Sequence, residues 1–222
     1  MPVTIITTAD GSHSLLNEFL QETYHSIHGA LQESKHVFIQ AGMEHWLDIH
    51  QTDSISIFEV GFGTGLNAWL AWRFARARAI NMTYTSIESF PLEESIWKQL
   101  NYVKDEADKS LFASLHESAW DITVRLDDGF SLHKMNLKLE DATVEPNSID
   151  VIFYDAFAPS KQPDMWTFAI LQKTVSVLKK GGVFVTYCAK GQLKRDLKSL
   201  NLVTEGLPGP PGKKEIIRGT KN

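Results

Sequence analysis

The sequence predicts a doubly wound α/β fold with a mostly parallel, seven-stranded sheet, and three observations carry that prediction. Short apolar runs rich in β-branched residues recur at 54–58, 82–87, 148–154 and 183–188, separated by stretches of helical spacing. The first run leads into Glu59-Val-Gly-Phe-Gly-Thr-Gly-Leu-Asn67 and then a helix over 68–78, so strand, glycine turn and helix follow one another. The 222 residues suit one domain spanning 1–222, with 1–50 as an N-terminal extension and 54–222 as the nucleotide-binding core.

The glycine turn is the candidate cradle. Gly61, Gly63 and Gly65 permit a sharp turn and a close ligand approach where a Cβ would intrude. Orphan N–H groups at the following helix start would face that ligand. Phe62, Thr64 and Asn67 belong to the same stretch and join the candidate set. A dinucleotide fingerprint needs a third glycine at 66, where Leu66 stands instead. Glu59, two residues before the first glycine, repels a pyrophosphate but suits a cofactor carrying an amine and a sulfonium. S-adenosyl-L-methionine is therefore favoured, with Glu59 at its amino-acid end.

Composition bounds the rest. No apolar run reaches the ~18–20 residues of a membrane span, and the N-terminus lacks a basic start, so neither a membrane helix nor a signal peptide is expected. The single cysteine, Cys188, lies in an apolar run and fits a reducing cytoplasm. Net charge is −5, but residues 156–222 hold 12 Lys and Arg against 4 Asp and Glu, enough for a phosphate-facing basic surface. His13, His25, His28, His36 and His45 show no metal-ligand spacing and read as surface or capping residues, so no metal is expected.

In chain order, 14–24 has the amphipathic spacing of a helix through Leu15, Leu16, Phe19 and Leu20, and 30–36 is a second helix. The strand over 82–87 ends at Glu88, 23 residues after Gly65, where an acid reaches the ribose hydroxyls of a bound nucleoside. A helical region fills 93–115. The strand over 121–126 is taken as the third of the sheet, and Asp128-Gly129 at its end as the adenine site. The nearly all-apolar strand over 148–154 is central and ends in Asp155, which places a carboxylate in the crevice beside the glycine turn. A helix over 167–178 stops at Lys179-Lys180-Gly181-Gly182; a strand over 183–188 and a basic helix over 191–199 follow. Two strands flanking the loop 206–212 close the chain as an antiparallel pair.

Five segments carry a family resemblance: Gly29-Ala-Leu-Gln-Glu-Ser-Lys-His-Val-Phe38, Glu59–Asn67, Ser86-Ile-Glu-Ser-Phe-Pro-Leu92, the run from Asp155 to Trp166, and Lys213-Lys-Glu-Ile-Ile-Arg-Gly219. Together they resemble the methyltransferase domain of the MnmC family of tRNA-modifying proteins. Departures include Ser89 for a common lysine and Gly209-Pro-Pro-Gly-Lys-Lys214 for Gly-Phe-Gly-Arg-Lys-Arg. The resemblance implies a Rossmann-like methyltransferase fold dependent on S-adenosyl-L-methionine. It also implies methylation of the aminomethyl nitrogen on a modified wobble uridine in the tRNA anticodon loop. Asp155 would then accept a hydrogen bond from the amine and help remove its proton. Lys161, Lys190, Lys194, Arg195, Lys213 and Lys214 would meet tRNA phosphates. These 222 residues carry no match to the family's FAD-dependent oxidase half, so a separate enzyme is expected to supply the aminomethyl uridine. The residues alone leave open N-methylation of a small amine or protein, aminopropyl transfer, or binding without catalysis.

Overall fold

A computed structural model describes residues 2–222. The chain begins with a small antiparallel sheet, β1 (Val3–Thr7), β2 (His13–Asn17) and β3 (Glu22–Thr23), in the order β1-β2-β3. The helix expected over 14–24 is therefore not formed. All five residues of β2 pair with β1, from Val3 opposite Asn17 to Thr7 opposite His13. Asn17 Oδ1 then accepts the N–H groups of Phe19 and Leu20, each at 3.0 Å, a turn that competes with helical bonding. A helical run follows: α1 (Ala30–Ser34), a π-helical segment Lys35–Glu44, and α2 (His45–His50). Gly42 lets this wide segment settle on the main sheet, since a Cβ there would lie 2.7 Å from a Val185 methyl.

The core continues as β4 (Ser54–Val60), α3 (Leu66–Ala77), β5 (Asn81–Ile87), α4 (Glu94–Trp97), α5 (Glu106–Glu117), β6 (Thr123–Asp127), β7 (Phe130–Met135) and β8 (Ile149–Tyr154). Then come a 3₁₀ turn (Pro163–Trp166), α6 (Phe168–Ser176), β9 (Leu178–Thr186), α7 (Gly191–Ser199), β10 (Leu202–Pro208) and β11 (Glu215–Lys221). The eight strands lie in the order β10-β11-β9-β8-β4-β5-β7-β6. The inner five are parallel, while β6 and β11 run against their neighbours β7 and β9. The sheet has one strand more than the expected seven, because the third-strand region is a hairpin.

Period-two alternation puts Ile57, Val151 and Phe153 on one face and Phe58, Ile152 and Tyr154 on the other. Helices cover both faces, which is why β8 is apolar almost throughout. The stretch expected to stop α6, Lys179-Lys180-Gly181-Gly182, is absorbed into β9, whose register against β8 shifts between Ile149 and Val151. The single helical region expected over 93–115 is two helices; Asp105 caps the second by accepting the Ala107 N–H at 2.9 Å.

Candidate active site

The connections leave β4 in opposite directions, to β5 on one side and eventually to β8 on the other. A crevice opens at the carboxyl ends of these strands. The glycine turn crosses it, anchored by Gly61 N–H to the Ile87 carbonyl at 3.0 Å, while Asp155 N–H reaches the Val60 carbonyl at 3.0 Å. Gly61 has φ +94°, and a Cβ there would lie 2.9 Å from the Asp155 carbonyl oxygen. The turn can hug β8 only as glycine. Gly65 opens α3 in the left-handed region with φ +71°. A cavity of about 740 Å³ occupies the crevice, within the ~300–1,000 Å³ usual for small-molecule sites.

Gly61, Phe62, Gly63, Thr64, Asn67, Glu88 and Asp155 all line this cavity. Thr64 is braced from the N-terminal segment, its Oγ1 2.7 Å from His25 Nε2. His25 is thus not a surface histidine: it is 7% exposed, and burial lowers its pKa to about 4, so it is neutral at pH 7. Glu88 bridges the crevice, taking the Gly63 N–H at 3.1 Å and the Phe90 N–H at 2.8 Å. Burial raises its pKa in spite of those bonds. Asp155 Oδ2 accepts from Asn67 Nδ2 at 2.8 Å. Its pKa is raised to about 7, first by burial and then by the negative charge of Glu33; Asn67 and Lys213 act in the opposite sense.

Glu59 requires a correction. It does not line the cavity but lies beneath the turn at 0% exposure, accepting the Ser86 hydroxyl at 2.6 Å. Burial raises its pKa to about 8, so at pH 7 it is mostly a neutral acid supporting the loop rather than a charge facing a ligand. The fold holds a proton there that the unfolded chain gives up above 4.5, so this group's stabilisation declines as pH rises from 4.5 to 8. Glu59→Gln keeps the Ser86 bond and is expected to flatten the decline. Its melting temperature should gain on the wild type across that interval; parallel melting curves would refute a protonated Glu59.

Asp128 and Gly129 are corrected more sharply. They form the β6–β7 turn, with Gly129 N–H on Asp127 Oδ1 at 2.8 Å, a local Asp-Asp-Gly turn. The Gly129 carbonyl accepts the Met82 N–H at the start of β5, so the turn is at the amino ends of the strands, opposite the crevice. The Asp128 side chain is fully exposed beside Arg125. Leu137 and Leu139, after β7, line the cavity instead. Gly65 also lies outside the lining, packed against His116.

Three of the cations expected to meet phosphate are engaged within the chain. Lys161 Nζ donates to the Leu20 and Gln21 carbonyls, Lys194 pairs with Glu215 at 2.9 Å, and Lys213 lines the cavity, 2.7 Å from Glu33. Lys190, Arg195 and Lys214 are exposed. Glu33, a buried acid of α1 that also lines the cavity, had no local sequence signal. Among the described residues no group of three or more His, Cys, Asp or Glu is placed to hold a metal ion, and no helix is long and apolar enough to cross a membrane.

A family profile described as S-adenosyl-L-methionine-dependent methyltransferase matches residues 107–222, just over half the chain. The chain belongs to this family. The methyltransferase is 30% identical over 216 residues to the tRNA 5-methylaminomethyl-2-thiouridine biosynthesis bifunctional protein MnmC of Leptospira interrogans, covering 92% of this chain and 33% of that protein. The protein of the same name from Burkholderia thailandensis is 27% identical over 233 residues, covering 99% of this chain and 35% of that one. The methyltransferase thus spans about a third of the length of the curated relatives it matches. Its fold is that of MnmC2 from Aquifex aeolicus, with a TM-score of 0.83, 22% identity, and coverage of 99% of this chain and 70% of that one.

The cavity suits the cofactor of this family. Glu22, Glu33, Glu88 and Asp155 line it against one lysine, Lys213, a balance that favours a positively charged ligand over a pyrophosphate. The apolar wall of Ile87, Leu137 and Leu139 offers a surface for a flat ring.

Proposed function

We propose that this methyltransferase acts on the aminomethyl nitrogen of 5-aminomethyl-(2-thio)uridine at the wobble position of tRNA, giving 5-methylaminomethyl-(2-thio)uridine in the cytoplasm. The observation that carries the reading is Asp155, a carboxylate held by Asn67 at the carboxyl end of a central strand, with a pKa raised to about 7. The names of the relatives, which refer to methylaminomethyl-thiouridine biosynthesis, support it. Bound S-adenosyl-L-methionine supplies an electrophilic methyl group on a sulfonium. The glycine turn with Phe62, Thr64 and Asn67 would hold it, and Glu88 would take its ribose hydroxyls.

The chain's remaining task is to present a free lone pair. Asp155 accepts a hydrogen bond from the acceptor ammonium and takes its proton, and the Asn67 bond fixes the carboxylate so that the amine is oriented. At the cavity mouth Phe19 is 80% and Phe90 53% exposed, faces on which unstacked bases of an anticodon loop can lie.

The test is incubation with methyl-labelled S-adenosyl-L-methionine and tRNA bearing aminomethyl uridine, followed by digestion to nucleosides. Label is expected in the methylaminomethyl nucleoside; label in protein or a small amine would favour the runner-up, an N-methyltransferase of another acceptor. For the RNA surface, Lys190→Ala, Arg195→Ala and Lys214→Ala are each expected to lower the slope of log affinity against log salt by up to roughly one unit. A flat salt response in the wild type would reject a phosphate-contacting surface.

A further inference from the structure

One end of the cavity already holds a cation of the chain's own. Lys213 stands on the loop between β10 and β11, closed by Gly209 N–H to the Lys214 carbonyl at 3.1 Å and Lys213 N–H to the Pro210 carbonyl at 2.9 Å. Its ammonium lies 2.7 Å from Glu33 Oε1 and 3.7 Å from the centre of the Tyr187 ring. Glu33 is 5% exposed, and its Oε2 accepts the Ser26 N–H at 2.6 Å. Its Oε1 faces the Lys213 ammonium and has no other polar partner, so the ion pair and the ring face hold the lysine. Tyr187 is fixed by donating its hydroxyl to the carbonyl of Ala156, next to Asp155, at 2.8 Å. Glu33, Tyr187, Lys213 and Asp155 all line the one cavity.

We propose that Glu33 and Tyr187 form a subsite for an alkylammonium ion beside Asp155, and that Lys213 occupies it as a stand-in for the acceptor amine. The inference rests on the reading of the acceptor as a primary amine. An aromatic face with a carboxylate behind it binds ammonium through the ring's negative face and the opposing charge. A buried carboxylate deprived of its cation must either bear a large desolvation penalty or take up a proton, so the ionised subsite calls for a cation. Lys213 meets that need at rest, and its flexible stem lets it withdraw. Exchanging one ammonium for another conserves the buried charge pairing. A hydroxyl or other neutral acceptor could not displace the lysine without exposing Glu33 to that penalty, so the exchange selects amines. Tyr187 and Glu33 are then specificity-determining residues, and Lys213 is a positioning residue rather than a phosphate contact.

Thermal melts of the full chain with methylammonium chloride, against sodium chloride at equal ionic strength, test this directly. In Lys213→Ala, methylammonium at several times its Kd is expected to raise the melting temperature saturably by roughly 2–4 °C. The wild type, whose subsite is filled, is expected to show no saturable rise. In the double variant Glu33→Gln, Lys213→Ala the rise should vanish. If Lys213→Ala folds only when methylammonium is present and sodium does not replace it, the subsite is equally supported. A rise matched by sodium chloride, a rise that survives loss of the Glu33 charge, or a variant that neither salt restores overturns the proposal. Label appearing in the tRNA nucleoside while these melts fail would reject the subsite alone and leave the acceptor assignment standing.

Discussion

Asp155→Asn is expected to lower the rate of methyl transfer to the aminomethyl tRNA by about 10²- to 10⁴-fold, the span that a positioned proton acceptor contributes. Asparagine has nearly the same shape and can still pair with Asn67, so calorimetric affinity for S-adenosyl-L-methionine should stay within a few-fold. The pH profile supplies the sign. Asp155 must be ionised to accept a proton, and its pKa is raised to about 7, so wild-type turnover rises with pH through that region. The variant should lose this limb and keep only the rise that follows the free amine itself. A variant that methylates tRNA at the wild-type rate would remove Asp155 from the chemistry.

The second large effect is expected at Gly61. Its φ of +94° is one that alanine adopts only under strain, and the added methyl would meet backbone, the Asp155 carbonyl oxygen at 2.9 Å. Strained backbone of this kind costs of the order of 1–3 kcal/mol. That cost falls on the contact between the carboxyl ends of β4 and β8, so Gly61→Ala should both lower the melting temperature and weaken cofactor binding tenfold or more. Gly129→Ala is the contrasting case. Its φ is not in the left-handed region, the nearest atom to a new Cβ is 3.6 Å away, and it sits at the far end of β5. Gly129→Ala and Asp128→Ala are expected to leave cofactor affinity unchanged. A loss at Asp128 equal to that at Gly61 would restore the adenine role and refute the placement of the hairpin.

Much of the fold was legible because its signals are local. The apolar run of β4, the glycines after it and the helical spacing of α3 lie within one window of sequence, and chain geometry forces strand, turn and helix from them. Glu88 and Asp155 were legible for the same reason: an acid closing a parallel strand must lie at the carboxyl edge, where such sheets open. The hairpin of β6 and β7 was missed although Phe130, Leu132 and Lys134 alternate with less buried residues. The charge of Lys134 disguised the inward position. The side chain is tolerated at 0% exposure because its ammonium lies 4.6 Å from the Trp120 ring and 5.3 Å from Phe62 and donates to the His116 carbonyl at 2.7 Å.

By itself the sequence determined the doubly wound core, the glycine turn and the two acids at the crevice, since each follows from contiguous spacing. Tertiary structure alone decided that β2 is a strand, that Glu59 is a buried neutral acid, and that Asp128 faces away. It alone brought Glu33 and Lys213, far apart in sequence, to one end of the cavity. Those outcomes depend on which distant segment supplies the partner, whether a strand, an ammonium or a low-dielectric wall, and no local pattern of residues encodes that choice.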